Sequence, residues 1–229
     1  MADQSEFDNL AEEYDNILKQ DLQGVSEDVS VFAEYKVKLV RSLFGGEPES
    51  LLEFGCGIGR NIPYLSSYFP SAKISGCDNS EKSIEYARAK YADRTFFLSD
   101  TIEEFLRNAV MYDACFIACV MHHIPPADWV RWLTAIRQKL KPGGEVVVFE
   151  HNLYNPLVKR IVTRSPIDAT ANFLTKKTLS GLLREAGYVG VSGGYAMFFP
   201  KRTALLEKIE WRLRKIPLGG QYWVQAKSV

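Results

Sequence analysis

The chain of 229 residues lacks the features that mark nucleic-acid-binding and membrane-spanning proteins. Lysine plus arginine and aspartate plus glutamate number 28 each, so the formal net charge is zero. A nucleic-acid-binding domain normally carries a clear basic excess, and we therefore expect no nucleic-acid partner. The longest apolar run, residues 114–121, is far shorter than the roughly 20 residues that a transmembrane helix needs, which predicts no stable membrane insertion.

Cysteine is scarce as well. The four cysteines are Cys56, Cys77, Cys115 and Cys119, and none of them forms a C-x-x-C pair. All four fall in predicted strands or at strand ends, where we interpret them as reduced core thiols of a cytoplasmic protein. A disulfide between Cys56 and Cys77, whose strands are predicted neighbours, is the minor alternative.

The chain has no internal repeat and no low-complexity segment, and short apolar runs alternate with helical segments along it. This alternation predicts one α/β domain with a doubly wound, mostly parallel sheet of seven strands and helices on both faces. The predicted strands are 50–54, 73–77, 95–98, 113–119, 145–149, one that begins at 188–191 and resumes near 197–199, and 222–226. The predicted helices are 5–18, 27–44, 80–91, 102–108, 129–140, 178–186 and 203–216. Within the single domain 1–229 we expect a helical cap over 1–45, a cofactor-binding core over 46–150, and a substrate-side insert with the last strands over 151–229.

The most informative stretch runs from Glu53 to Arg60, between the first strand and a helix-compatible segment. Its three glycines form G-x-G-x-G, and such a turn before a helix exposes backbone N–H groups that favour an anionic ligand group. Position 60 is arginine, whereas the dinucleotide fingerprint has glycine or alanine there. Glu53 beside the turn would repel a pyrophosphate and can accept hydrogen bonds from an ammonium group.

The pattern Glu53-x-Gly-x-Gly-x-Gly59 resembles the first motif of the class I S-adenosylmethionine-dependent methyltransferases, and further motifs follow in that family's order over roughly residues 14–149. The resemblance implies a Rossmann-like methyltransferase fold whose last strand inserts antiparallel between strands five and six. It also implies S-adenosyl-L-methionine as the cofactor and methyl transfer to oxygen or nitrogen of a small-molecule or lipid-linked acceptor. We expect a monomer or homodimer.

Acidic residues at two strand ends are candidates for binding this cofactor. Asp78 follows strand two, where a carboxylate can accept bonds from both ribose hydroxyls; the alternative is that it caps the next helix. Asp100 follows strand three, where the family holds the adenine amino group, and it too could be a helix cap. The resemblance also implies that Tyr14 lies on an N-terminal helix that folds over the cofactor, and a core-facing ring is the alternative. The full set of candidate cofactor-binding residues is Tyr14, Glu53, Gly55, Cys56, Gly57, Gly59, Asp78, Asn79, Asp100, Thr101 and Cys119.

All three histidines lie on the edge of the sheet where ligands bind in open α/β folds. His122 and His123 follow strand four, and His151 follows strand five. Imidazole is well suited to accept a proton near pH 7, so we predict that His151 or His123 is the catalytic base, whereas His122 packs against a helix. A zinc site built from the three histidines is the rival interpretation, and we predict no metal.

Two other functions stay open at this point. One is an NAD-dependent oxidoreductase, which Arg60 and Glu53 disfavour, and the other is a non-catalytic cofactor-binding partner subunit. Residues 211–216 combine basic and apolar side chains in a way that suits contact with an acidic membrane surface, although Glu207 and Glu210 weaken that idea.

Overall fold

The computed structural model describes residues 4–11, 13–26, 28–199 and 203–229, without the side chains of residues 4–6, 204 and 207. The seven strands are β1 (Ser50–Phe54), β2 (Lys73–Asp78), β3 (Thr95–Leu98), β4 (Tyr112–Ala118), β5 (Leu140–His151), β6 (Val189–Ala196) and β7 (Gln221–Lys227). The helices are α1 (Gln4–Leu10), α2 (Tyr14–Asp21), α3 (Ser30–Leu43), α4 (Ile62–Tyr68), α5 (Glu81–Lys90), α6 (Ile102–Arg107), α7 (Trp129–Gln138), α8 (Pro156–Val162), α9 (Lys176–Glu185) and α10 (Ala204–Leu213).

The strands form a single sheet in the order β3-β2-β1-β4-β5-β7-β6. The pairs from β3 to β5 are parallel, and β7 lies antiparallel between β5 and β6. The predicted doubly wound, seven-stranded fold is therefore confirmed, and so is the antiparallel insertion of the last strand. In the ranges that the structure describes, no helix combines the length and the apolar character that crossing a bilayer requires.

Apolar side chains cover both faces of the sheet. The central strands β4 and β5 are buried on both sides, and the side chains from Val146 to Phe149 have no exposed surface. Helices α6, α7 and α9 cover one face, where Phe105, Trp132 and Leu183 pack. Helices α3, α4 and α5 cover the other face. This continuous burial explains why the central strands read as uninterrupted apolar runs.

Two predicted elements are wrong in ways that concern the site. The predicted helix over 5–18 is two short helices, α1 and α2, because Ala11 and Glu13 lie in turns. Strand β5 starts at Leu140 and extends to His151, so the segment 141–144 is an irregularity within a strand and not a turn before it. His151 is therefore the last residue of the strand, paired with Gln221, and does not lie past its end.

The segment between β5 and α9 contains an unpredicted helix. Helix α8 begins at Pro156 after an Asn155 cap, whose side chain accepts bonds from the N–H groups of Leu157 and Val158. Proline suits the first turn of a helix because it has no N–H to leave unpaired. The helix places apolar residues at the carboxyl edge of the sheet. Strand β6 is continuous to Ala196, and residues 197–199 are not a strand.

Candidate active site

A large cavity opens at the carboxyl edge of the parallel strands, where the chain order reverses between β1 and β4. This topological switch point is where open α/β sheets bind ligands. The cavity has a volume of about 350 Å³. The glycine turn after β1 forms one end, and the histidines after β4 and β5 form the other. Residues predicted to bind the cofactor and the two predicted catalytic histidines therefore line the same cavity.

The glycine turn is shaped for close approach of a ligand. Gly55 has φ +73°, and a Cβ there would lie 2.3 Å from Val120 Cγ2, so neither the conformation nor the space admits a side chain. Gly57 has φ +50°, and a Cβ there would meet no atom within 4 Å. Since Gly57 also lines the cavity, its bare backbone leaves room that a ligand can fill.

Asp78 lies at the end of β2 and faces the turn. Its Oδ2 accepts a hydrogen bond of 2.7 Å from the N–H of Gly57, and its Oδ1 accepts one of 3.0 Å from the N–H of Ser80. The N-cap of α5 is Ser80, whose hydroxyl accepts from Ser83, so the alternative in which Asp78 caps this helix is wrong. Burial raises the pKa of Asp78. Each carboxylate oxygen has a second lone pair, which suits a pair of ligand hydroxyls.

Glu53 lies behind the glycine turn with almost no exposed surface. Its Oε1 accepts a hydrogen bond of 2.6 Å from Asn61, whereas its buried Oε2 has no hydrogen-bond partner among the described residues. Burial raises the pKa of Glu53 to about 8. A buried acceptor without a donor is costly, and a ligand ammonium group or a proton would satisfy it. The residues around the turn thus fit a cofactor that carries both an ammonium group and ribose hydroxyls.

The two N-terminal helices close over this end of the cavity. Asp8 of α1 accepts a 2.7 Å bond from the Ser80 hydroxyl, and Asp15 of α2 pairs with Arg60 at 2.9 Å. The Arg60 guanidinium also lies 6.0 Å from the centre of the Tyr14 ring. Arg60, which the sequence marked only as a departure from the dinucleotide fingerprint, therefore attaches the helical cap to the glycine turn. Tyr14 lines the cavity, and burial raises its pKa.

The structure does not bring every candidate to the cavity wall. Asn79 lines the wall together with the first two glycines, whereas Gly59 and Glu53 lie outside it. Asp100 and Thr101 also lie outside the wall, and the N-cap of α6 is Thr101, whose hydroxyl accepts from Glu104 at 3.2 Å. The alternative in which Asp100 is the cap is therefore wrong. The adenine contact of Asp100 and the other cofactor roles stay predictions.

The interpretation of the cysteines as core thiols is wrong at one position, Cys119. All four thiols are free, so the Cys56–Cys77 disulfide is not formed. Cys119 is half-buried and is not a core residue; it follows β4 with φ +60°. Its sulfur accepts a 3.1 Å bond from Gln221. A non-glycine residue with positive φ is uncommon, and here it ends the strand sharply so that the next residues turn along the cavity.

A buried ionic network holds the first histidine. The Glu150 carboxylate contacts Nδ1 of His122 and also accepts bonds from the N–H groups of Val120 and Met121 at 3.2 and 2.8 Å. Asp168 Oδ1 lies 3.1 Å from His122 Nε2. Burial alone would lower the pKa of His122, but the two carboxylates outweigh it and raise the pKa to about 10. His122 is therefore a protonated bridge between two carboxylates, and the predicted helix packing is wrong.

His123 and His151 lie on either side of this bridge. The His122 ring centre is 4.1 Å from that of His123 and 5.3 Å from that of His151. Burial lowers the pKa of His123 to about 3, and the charge of His122 adds to the effect. Burial likewise lowers the pKa of His151 to about 4. Both rings are neutral near pH 7, and the buried Nδ1 of His123 has no hydrogen-bond partner in the described parts of the chain.

A metal site is geometrically possible here, but its ligands would be two histidines and an aspartate and not the three histidines. One ligand atom each from His122, His123 and Asp168 lies within 4.8 Å of the others. Both ring nitrogens of His122, however, face carboxylates, and the resulting protonated imidazole has no lone pair for a metal ion. The geometry therefore favours proton transfer over metal binding at this cluster.

Several residues of the cavity were not found from the sequence. Asp168 lies 46 residues from its partner His122, in a segment of mixed polarity, and no spacing rule joins the two. Lys36 on α3 lines the cavity, as does Ser99, whose buried hydroxyl has no hydrogen-bond partner in the described residues. Ser99 directly precedes Asp100, so the end of β3 was a usable signal for it as well.

The acceptor end of the cavity is bounded mainly by apolar side chains. Leu157, Val158 and Ile161 of α8 line it, together with Ile167 from the segment after that helix. Phe7 of α1 meets the ring of His123 edge-on, with ring centres 4.9 Å apart. An apolar wall around a few polar groups is typical of a small-molecule site.

Comparison with known proteins agrees with this geometry. Residues 51–144 match the sequence model of the family described as "Methyltransferase domain". A solved structure from Thermotoga maritima, described as a SAM-dependent methyltransferase and possible histamine N-methyltransferase, superposes with a TM-score of 0.68 at 16% identity, covering 98% of this chain and 99% of that one. The family model covers about two fifths of the chain, and the solved structure shares its fold, so both support the resemblance to class I S-adenosylmethionine-dependent methyltransferases that the glycine turn and its companion motifs indicate.

Characterised relatives act on different acceptors. The tRNA N(3)-methylcytidine methyltransferase Mettl2 of Drosophila melanogaster is 25% identical over 163 residues, which cover 62% of this chain and 49% of that protein. The demethylmenaquinone methyltransferase of Thermotoga maritima is 28% identical over 156 residues, covering 67% of this chain and 62% of that protein. The matches thus span about half to two thirds of these relatives, and they assign no acceptor to this chain.

Proposed function

We propose that the protein transfers a methyl group from S-adenosyl-L-methionine to an oxygen atom of a small, largely apolar acceptor. The observation that carries this proposal is the single cavity in which the glycine turn and Asp78 face one end and neutral histidines with apolar walls form the other. Such an arrangement holds two reactants in one enclosed space, and positioning is the main task in a methyl displacement. We propose the cytoplasm as the site of this reaction.

The donor end is proposed to bind by hydrogen bonds and charge. Asp78 accepts from the ribose hydroxyls, the glycine turn with Glu53 behind it holds the amino-acid part, and Tyr14 covers the site from α2. The cofactor supplies an electrophilic methyl group on a positively charged sulfur. Because the donor carries this charge, the residues have to orient the reactants and exclude water more than to activate the donor.

We propose that a histidine at the acceptor end of the cavity takes the proton of the acceptor hydroxyl. His123 or His151 accepts a hydrogen bond from the acceptor hydroxyl, with His151 slightly favoured because it ends β5 beside the predicted methyl position. His122 cannot serve, since both of its ring nitrogens are held by carboxylates. Burial, with a smaller contribution from the charge of His122, lowers the pKa of the two neighbouring rings, so they are neutral and able to accept.

The low pKa values of these two rings favour oxygen over nitrogen as the acceptor atom. A weakly basic imidazole cannot remove a proton from an ammonium group at neutral pH. It can take the proton of a hydroxyl as the new carbon–oxygen bond forms, because that proton becomes strongly acidic at that stage. An amine acceptor would have to arrive already neutral.

A substrate screen tests the proposal. The protein is incubated with S-adenosyl-L-methionine that carries a labelled methyl group and with pools of phenols, hydroquinones, carboxylic acids, amines and total tRNA, and labelled products are identified by mass spectrometry. We expect label in a hydroxyl compound. Exclusive labelling of an amine or of tRNA would overturn the assignment of the acceptor, and formation of no product by a protein that binds the cofactor would favour a non-catalytic partner subunit.

A further inference from the structure

Two segments of the chain carry an unusual concentration of exposed apolar side chains. The structure describes 13 large apolar side chains as exposed, and seven of them fall within residues 154–157 and 205–218. They are Tyr154, Leu157, Leu205, Ile209, Trp211, Ile216 and Leu218. Single exposed apolar residues need no explanation, but a group of this size indicates an interaction surface.

The two segments are joined at the mouth of the cavity. The side-chain amide of Asn155 donates a 2.8 Å bond to the carbonyl of Leu218, and that of Asn152 donates a 2.7 Å bond to the carbonyl of Gly219. Leu157 and Gly220 line the cavity itself. We call the segments 154–164 and 205–218 together the rim surface. Whatever the rim surface contacts would therefore lie directly at the acceptor entrance.

The rim surface is basic although the chain is neutral. Its two segments contain seven lysine and arginine residues and two glutamates, a net charge of +5. One of those glutamates, Glu210, is buried and accepts a 2.9 Å bond from the N–H of Phe198, so it faces inward. Lys159, Arg160 and Arg212 are exposed among the apolar residues. Glu210, one of the two acidic residues that weakened this idea in the sequence, therefore does not present its carboxylate on the rim surface.

A basic cavity adjoins the rim surface. It lies between α9 and β6, has a volume of about 310 Å³ and is lined by Tyr154, three cations and hydroxyl groups, and none of the described residues in its wall is acidic. The cations are Lys176, Lys177 and Arg184. Because Tyr154 belongs to both features, an anionic group in this cavity would lie beside the apolar part of the rim.

From these features we infer that the rim surface docks on an anionic lipid bilayer, with the mouth of the cavity toward the membrane. Apolar side chains insert at the boundary of head groups and acyl chains, and interleaved cations bind anionic lipids. Trp211, whose ring lies 4.0 Å from the Arg214 guanidinium, is a residue type favoured at that interface. RNA would use the cations but gives no partner to exposed leucine and isoleucine, and for this reason we favour lipid.

This inference deepens the proposed function, because docking would give an apolar, lipid-soluble acceptor direct entry to the cavity. It is tested by co-sedimentation of the full chain with vesicles of phosphatidylcholine alone and of phosphatidylcholine mixed with phosphatidylglycerol. Neither donor nor acceptor is added, so a failure here is distinct from a failure of methyl transfer. We expect binding to the anionic vesicles at low salt and at least tenfold weaker partition to the neutral ones.

Two variants and two matched controls distinguish binding through the rim surface from nonspecific adsorption to vesicles. Arg160→Glu should lower partition to anionic vesicles at least about fivefold, since each basic residue near the surface contributes roughly that factor. Leu218→Asp should lower it about tenfold or more because an inserted apolar group is replaced by a charge. Arg107→Glu and Val110→Asp, exposed at the opposite edge of the sheet, should leave it unchanged. Circular dichroism checks that all four variants fold.

Several outcomes would overturn the inference. Equal binding to neutral and anionic vesicles, or no binding to either, excludes the anionic bilayer as the partner. A loss in the control variants as large as in the rim variants means that the rim surface is not the contact. If the parent chain binds tRNA in a salt-sensitive way but binds no vesicles, and the rim variants abolish the tRNA binding, the partner of this surface is RNA.

Discussion

Replacement of Asp78 offers the sharpest test of the donor end. In the structure the Asp78 carboxylate accepts from the N–H groups of Gly57 and Ser80, at 2.7 and 3.0 Å. The residue therefore helps to hold the glycine turn, and its removal should disturb the turn as well as the ribose contact. Asp78→Asn keeps the shape and one acceptor oxygen, whereas Asp78→Ala removes both acceptors and leaves two N–H groups to find new partners.

The size of the effect follows from the bonds that are lost. A hydrogen bond to a charged group contributes about 1.5–3 kcal/mol net, so the loss of the carboxylate should weaken S-adenosylhomocysteine binding by roughly ten- to a hundredfold. Unpaired backbone N–H groups cost about 1–3 kcal/mol each if no water reaches them, so Asp78→Ala should also lower the melting temperature. Asp78→Asn should lose affinity with a smaller loss of stability.

Isothermal titration calorimetry measures the affinity, and thermal unfolding without ligand measures the stability. Asp113→Ala is the matched control, because Asp113 is also a carboxylate near a strand end, paired with Lys141 at 2.8 Å, but at the opposite edge of the sheet. It should lose stability and keep its affinity. If Asp78→Asn binds S-adenosylhomocysteine as tightly as the parent does, the carboxylate only shapes the turn and the ribose contact is refuted.

Three further predictions concern the glycine turn and the histidines. Gly55→Ala should lower the free energy of unfolding, measured by urea unfolding, by at least about 2 kcal/mol. Residue 55 has a positive φ, and the new Cβ would overlap the side chain of Val120. Unchanged stability would contradict this geometry. Glu53→Gln should raise the melting temperature by an amount that grows from about pH 5 to pH 8 and then levels off. The reason is that the pKa of Glu53 is 4.5 in the unfolded chain and about 8 in the folded one, so ionisation between these values increasingly destabilises the folded state. A difference in melting temperature that does not depend on pH would contradict this prediction. His123→Gln or His151→Gln should lower kcat by about 10²–10⁴-fold at pH 6 to 9, less at the basic end, and keep cofactor affinity, whereas near-parental rates in both variants would make the histidines structural.

The sequence predicted the centre of the sheet well because the central strands are buried on both faces. Strands β1 and β3 match the predicted bounds, since apolar runs such as 50–54 lie between clear turn residues. The break between α1 and α2 was missed because the apolar residues of 5–18 keep a helical spacing through it. Strand β5 was predicted too short, since a Lys-Pro-Gly-Gly sequence usually ends an element and here forms an irregularity inside one.

The site was predictable where it depends on local motifs and not where it depends on distant pairs. The glycine turn and Asp78 are fixed by one strand–turn–helix unit and its neighbour, so spacing alone indicated both. The charge state of His122 depends on Glu150 and on Asp168, which a later loop brings to 3.1 Å. No pattern in a single sequence joins residues that far apart, and this explains why the protonated bridge was missed although all three histidines were placed at the correct edge.

The cavity should bind S-adenosylmethionine and its product, and a single calorimetric measurement tests this most directly. Calorimetry on the parent chain should show one S-adenosylhomocysteine molecule bound per chain and no binding of NAD at the same concentration. At a hundredfold excess over Kd the product should stabilise the fold by about 2.7 kcal/mol, which for a chain of this size raises the melting temperature by roughly 5–10 °C. Binding of NAD without binding of S-adenosylhomocysteine would contradict the account.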